Sequence, residues 1–197
     1  MRLAEYKSLL TTLQRPGAMS DQTARKWFVN QARSLNTRPR SILTSEQENL
    51  TNKIRLGYLY LFFYEPKHRS KLEYFDKYPL VIPIELKENG FTGLNLHYIS
   101  PSQRLVLIEN LRPLIMNENV STRQHLRVSR RILQSSKRYK YYKPCIKNYL
   151  YNNCKSLFLK INSEDWETAL MLPTERFIKR NKKDVWKESW RTINGHR

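Results

Sequence analysis

The chain has 197 residues and a mass of 23.8 kDa, enough for one domain whose core needs neither disulfides nor a metal to fold. Lys and Arg number 36 against 17 Asp and Glu, a formal net charge of +19, far above the roughly 2 to 8 that keeps a small domain soluble. That excess calls for a polyanionic partner, either a nucleic-acid backbone or an acidic protein surface, and the 40% hydrophobic content excludes a disordered basic tail.

Residues 1–56 carry ten basic and four acidic residues and read as helices. The start, MRLAEYKSLL, has no extended apolar run before a small-residue cleavage site, so no secretory signal is expected. Leu3, Tyr6, Leu9, Leu10 and Leu13 recur at helical spacing until Arg15-Pro16-Gly17 stops them. Ser20 or Asp21 then caps a second helix through Ala24, Trp27, Phe28, Ala32 and Leu35, with Arg25, Lys26 and Arg33 on its polar side. Thr37 to Arg40 is connecting chain, and Ser45 with Glu48 forms a capping box for a third short helix.

Residues 57–118 hold seven residues of each charge and read as the sheet. Strands are predicted over 57–66 (GYLYLFFYEP), 78–86 (YPLVIPIEL) and 91–99 (FTGLNLHYI), with Glu88-Asn89-Gly90 turning between the last two. Pro79 and Pro83 cannot donate ladder hydrogen bonds, so the second strand should be an edge strand or a bulged one. Alternation sets Asn95 and His97 on one side of the third strand, where a satisfied polar pair is expected. Gly90 and Gly93 suit a turn or a close backbone approach better than a ligand cradle. Gln103 to Leu111 reads as a short helix closed by Pro113.

Residues 119–197 carry nineteen basic and six acidic residues, and within them 119–160 holds eleven basic residues and no acidic one. Solvated faces mix their signs, so this window is the strongest local signal. A helix is predicted from Ser121 or Thr122 to Leu133, then a helical or irregular segment over 144–151, and a short strand in 155–161. Ser163 with Glu164, Asp165 and Glu167 starts a helix that stops before Pro173. The tail from Glu175 is mostly charged, and Trp166, Trp186 and Trp190 read as core anchors. The fold class is therefore α+β: one domain over 1–197, with a small antiparallel or mixed sheet from the middle third flanked by basic helical regions.

Arg123, Arg127, Arg130 and Arg131 fall along one side of a helix, a pattern that matches successive phosphates. Lys137, Arg138, Lys140, Lys143 and Lys147 continue the cluster, interleaved with Tyr139, Tyr141, Tyr142, Tyr149 and Tyr151. Rings beside cations hold exposed bases or strand ends, unless they pack inward. The candidate DNA-binding set is therefore the four arginines, Lys137, Arg138, Lys140, Tyr141, Tyr142, Lys143 and Lys147. Acidic protein contact and a plain basic surface stay open beside it. Catalysis finds little support. Glu65, Glu73 and Asp76 lie near His68, but Lys67, Arg69, Lys71 and Lys77 among them suggest a salt-bridged loop rather than a metal nuclease site. The sequence contains no phosphate-binding loop, no HExxH and no GxSxG. Two cysteines, Cys145 and Cys154, and four histidines argue against a disulfide framework or zinc, and no cofactor is called for. No run reaches the length of a membrane helix.

The middle block carries Tyr64-Glu65-Pro66-Lys67, Tyr74-Phe75-Asp76, Pro79 to Pro83 and Gly90 to Tyr98. Together these pieces resemble a signature of tailed-bacteriophage virion proteins, the head-completion DNA end protectors of contractile-tailed phages related to the T4 group. Ala24 to Phe28 and the segment from Leu170 to Ile193 are similar to the opening and closing parts of that family. The resemblance implies a non-catalytic virion protein at the head–tail connector, assembled in the host cytoplasm, that caps and shields the end of packaged double-stranded DNA. The alternative is a structural plug or adaptor contacting portal, neck or tail proteins. Glu73 stands where the family pattern has a proline, a departure that bears on the rigidity of that loop.

Overall fold

The computed structural model describes residues 40, 43, 47–104, 140–162 and 165–195. The predicted helices of the first 39 residues and of 121–133 lie outside them. So do residues 44–46 of the expected capping box and all of the expected 103–111 helix beyond Arg104. Gln47–Asn49 is a single 3-10 turn, and residues 101–104 are helical.

A six-stranded antiparallel sheet organises the described residues. Its strands are β1 (Leu50–Thr51), β2 (Leu59–Leu61), β4 (Leu80–Lys87), β5 (Gly90–Asn95), β6 (Ile146–Leu150) and β7 (Phe158–Ile161), in spatial order β1-β7-β2-β4-β5-β6. A two-stranded ribbon joins β3 (Phe75–Asp76) to β8 (Phe177–Ile178). Helices α1 (Trp166–Met171) and α2 (Lys182–Asn194) follow the last large strand. The α+β reading therefore holds, with a sheet that is antiparallel throughout.

The middle third does not supply the sheet alone. β1, β6 and β7 come from the flanks, and β7 sits between β1 and β2 through the pairs Leu59–Ile161 and Leu61–Leu159. The segment 144–151, expected to be helical or irregular, is mostly β6, held by pairing from Gly90–Leu150 to Leu94–Ile146. The predicted strand 57–66 narrows to three residues, with Tyr64 bridging to Cys154 beyond it. β4 is interior rather than an edge. It tolerates Pro83 because β2 pairs only as far as Val81 and the register with β5 shifts between Pro83 and Glu85.

The β4–β5 hairpin turns on Glu88 and Asn89, with Lys87 opposite Gly90. β5 ends at Asn95, short of the predicted 99, because the Asn95 side chain accepts a hydrogen bond from the His97 amide (3.0 Å) and starts a 3-10 turn over Leu96–Tyr98. Gly90 and Gly93 are close-approach positions. A Cβ at Gly90 would lie 2.0 Å from the Tyr149 carbonyl oxygen, and one at Gly93 would lie 2.2 Å from Val81 Cγ1.

The pleat sends alternate residues to two separate cores. Leu59, Leu61, Leu80, Ile82, Leu94, Leu159 and Ile161 join Trp166, Leu170, Val185 and Ile193 of the two helices in the larger one. Tyr60, Phe62, Tyr64, Val81, Phe91, Tyr149 and Phe158 form an aromatic core of their own. Trp166 is buried as expected, and its Nε1 donates to the Ile161 carbonyl at 3.1 Å. Trp190 is not a core anchor, for reasons set by the face of α2 on which it lies.

Candidate nucleic-acid interface

Six of the eleven predicted contact residues, Arg123, Arg127, Arg130, Arg131, Lys137 and Arg138, lie outside the described residues. Lys140, Tyr141 and Tyr142 belong to a 3-10 segment, Lys140–Cys145, that packs against α2. Lys143 is exposed on that segment, which Cys145 closes as a buried residue. Lys147 follows on β6 and is half-buried, its Nζ 4.0 Å from the centre of the Tyr98 ring. Burial lowers the pKa of that ammonium.

The interleaved tyrosines do not behave alike. Tyr149 packs inward, with ring centroids 4.9 Å from Tyr64 and 5.1 Å from Phe91, and its hydroxyl accepts from Asn95 Nδ2 at 3.0 Å. Burial raises its pKa well above the usual phenol value. Tyr151 is half-buried against the same aromatic core. For Tyr149 the packing reading holds.

The carboxylates near His68 do not converge. Glu65 lies 3.7 Å from Arg69, and Glu73 accepts from Arg180 at 3.0 Å. Asp76 turns into the core, where its Oδ2 lies 2.7 Å from His97 Nδ1, while His97 Nε2 lies 2.9 Å from the Thr174 hydroxyl. Carboxylate, imidazole and hydroxyl in a line can activate a nucleophile. Here Thr174 is 2% exposed and His97 fully buried, so no substrate reaches the hydroxyl. The line fastens the C-terminal segment to the sheet, and the expected polar pair of Asn95 and His97 is satisfied within it. Among the described residues no group of three or more His, Cys, Asp or Glu is placed to hold a metal ion.

A second buried polar cluster does similar work. Arg104, fully buried, donates from Nε to the carbonyls of Leu96 (2.9 Å) and Ile99 (3.0 Å) and from Nη1 to that of Leu170 (3.0 Å). Its Nη2 lies 3.7 Å from Glu175 Oε1, which Lys182 Nζ also reaches at 3.2 Å. Burial alone would raise the Glu175 carboxyl, but Arg104, His97 and Lys182 together outweigh it and bring it down to about 2.

The loop over residues 67–72 presents Lys67, Arg69 and Lys71 to solvent. Lys179, at a positive φ of 70°, closes it by donating to the carbonyls of Arg69, Ser70 and Leu72 at 2.8–3.0 Å. A cleft of about 390 Å³ beside it is lined by Arg69, Lys77, Lys179, Phe75 and Ile178. Its cations already have contacts, Lys179 with those carbonyls, Arg69 with Glu65, and Lys77 over the Phe63 ring at 5.1 Å.

α2 is the basic surface that sequence reasoning missed. Val185, Ser189 and Ile193 are buried, which points Lys183, Lys187, Trp190 and Arg191 outward at helical spacing. Trp190 is 58% exposed. The signals were in the sequence: Asn181 caps the helix by accepting from the Asp184 amide (3.1 Å), and Gly195 ends it at φ 74°.

A family model described as phage T4 terminal DNA protecting protein matches residues 4–193. No curated protein and no solved structure matches the chain.

Proposed function

The chain belongs to the phage T4 terminal DNA protecting protein family, and from that premise we propose that it is a non-catalytic virion protein that binds and shields the end of packaged double-stranded DNA. The observation that carries this reading is the window 119–160, with eleven positive charges and no counter-charge. Such a window neutralises phosphates whatever the sequence, releasing counterions as it binds. Carboxylates individually paired to Arg69, Arg180 and His97 support the non-catalytic part.

The test compares binding to linear and relaxed circular duplex at equal base-pair concentration, and follows exonuclease digestion of the linear form. Tighter binding to linear DNA, slower digestion from its ends and no cleavage with magnesium or manganese are expected. Equal affinity for circle and line would overturn end recognition. Failure to bind either, with stable assembly onto a ring-forming connector protein, would replace it with the plug or adaptor reading.

A further inference from the structure

We propose that the outward face of α2 is a platform for the terminal base pair of duplex DNA, with Trp190 stacked on the uncovered pair and Lys183, Lys187 and Arg191 on the flanking phosphates. The inference rests on the DNA-end reading above and assigns to it a surface that lies outside the 119–160 window.

A single exposed apolar residue is ordinary on a protein surface. What sets Trp190 apart is its surroundings. Lys183 and Lys187 lie seven and three residues before it and Arg191 directly follows, all exposed on one face. None of the three has an ion-pair or hydrogen-bond partner through its side chain among the described residues. The acidic residues of the same helix are engaged elsewhere. Glu188 accepts from Arg180 and from the Tyr74 hydroxyl, and Asp184 accepts from the Asn181 side chain. The face is therefore an indole among three cations that have no counter-charge among the described residues.

The helix beneath is held firmly. Besides its buried stripe, Trp186 Nε1 donates to the His97 carbonyl at 2.8 Å, and Lys182 reaches buried Glu175. A ring presented from a fixed helix loses little freedom on binding. The cations span two turns, with ~6 Å of axial rise between Lys183 and Lys187 and again to Arg191. The neighbouring Lys140–Cys145 segment packs on α2 and carries exposed Lys143, so the helix adjoins the basic window.

Charge alone fits phosphates anywhere along a duplex. The indole supplies the selection, because bases inside a duplex are covered by their neighbours and only the last pair offers a free π-face. An acidic protein would satisfy the lysines and leave no reason for the ring at their centre.

The experiment uses the full chain with a blunt linear duplex and a relaxed closed circle of the same sequence. Trp190→Ala should weaken binding to the blunt duplex by roughly five- to a hundredfold, the range of base–aromatic stacking, and leave the circle unchanged. Trp190→Phe should restore most of the loss. The triple variant Lys183→Gln, Lys187→Gln, Arg191→Gln should weaken both forms and flatten the salt dependence by up to about three phosphate equivalents. Should Trp190→Ala lower the melting temperature, Trp190→Gln gives the same comparison on a folded chain. If wild type prefers the linear form and a folded Trp190 variant keeps that preference in full, the platform is overturned and the DNA-end reading stands. If wild type binds line and circle equally, both fall.

Discussion

His97 Nδ1 lies 2.7 Å from Asp76 Oδ2, with both side chains sealed from solvent. Asp76 is the hub of the contact between sheet and C-terminal segment. Its Oδ2 also accepts from Asn95 Nδ2 at 3.2 Å, and its Oδ1 accepts from the backbone amides of Tyr78 (3.2 Å) and Arg176 (3.3 Å). The other ring nitrogen, Nε2, lies 2.9 Å from the Thr174 hydroxyl, so the imidazole bridges Asp76 and the C-terminal segment.

Asp76→Ala should cost ~3–5 kcal/mol of stability, the range for removing one partner of a buried charged pair, read from urea denaturation midpoints. Asp76→Asn should recover little of it, because every group around the carboxylate is a donor and the amide brings two more N–H groups. An Asn variant as stable as wild type would show that the hub does not need an all-acceptor side chain.

Glu175 sets an acid limit. Its carboxyl ordinarily titrates at 4.5 and is held at about 2 in the fold, where the electrostatic pull of Arg104, His97 and Lys182 outweighs burial. A depressed folded value contributes stability that is present above about pH 4.5 and is lost as pH falls towards about 2, on the order of 3 kcal/mol. Glu175→Gln leaves the Arg104 guanidinium buried against a neutral partner. The stability gap between wild type and this variant should therefore be widest near neutral pH and shrink on acidification, measured by urea titrations across that range. A gap that stays constant would mean Glu175 is not charged through its contact with Arg104.

Local signals in the chain found the β4–β5 hairpin, since Glu88-Asn89-Gly90 and the apolar runs beside it fix turn and strands without distant help. β6 is hard to read from sequence because Lys147 and Asn148, poor strand formers, interrupt Ile146 and Tyr149. Pairing of Ile146, Lys147 and Asn148 with Leu94, Gly93 and Thr92, more than fifty residues away, completes the strand. Asp76 stands beside Glu65, Glu73 and His68 in sequence, and proximity along the chain is all that links them. Its true partners, His97 and Thr174, are neighbours only in space. α2 is legible from its cap, its apolar stripe and its terminal glycine, but the density of charge around them hides the pattern, and a tryptophan among lysines reads as an anchor when only its size is weighed.

Gly93 and Val81 should be coupled. A Cβ at Gly93 would lie 2.2 Å from Val81 Cγ1, so Gly93→Ala should destabilise by ~1–3 kcal/mol through overpacking. Trimming the opposing methyls makes room, and the double variant with Val81→Ala should be more stable than the two single losses predict, by about 1 kcal/mol. Gly90→Ala offers the control. Its Cβ would meet the Tyr149 carbonyl oxygen at 2.0 Å, a backbone atom that no side-chain substitution can remove. Additive losses at positions 93 and 81, measured by denaturant unfolding, would contradict the close approach.

The window 119–160 makes the last prediction. If its charges meet the DNA backbone, each phosphate contact contributes a slope of roughly −0.9 to the dependence of log affinity on log salt. Arg127→Gln with Arg131→Gln should flatten that slope by about two contacts and weaken binding to every sequence alike, because phosphates carry no base identity. Tyr141→Ala with Tyr142→Ala asks a different question of the same window. Rings stacked on terminal bases would lose end binding and nearly keep internal duplex binding. Rings packed inward, as Tyr149 is, would lower the melting temperature and weaken both modes together. A folded double arginine variant that binds linear DNA with an unchanged salt slope would remove this window from the interface. Its charge would then be left for the carboxylates of a connector protein, while the α2 face, tested separately through Trp190, could still hold the DNA end.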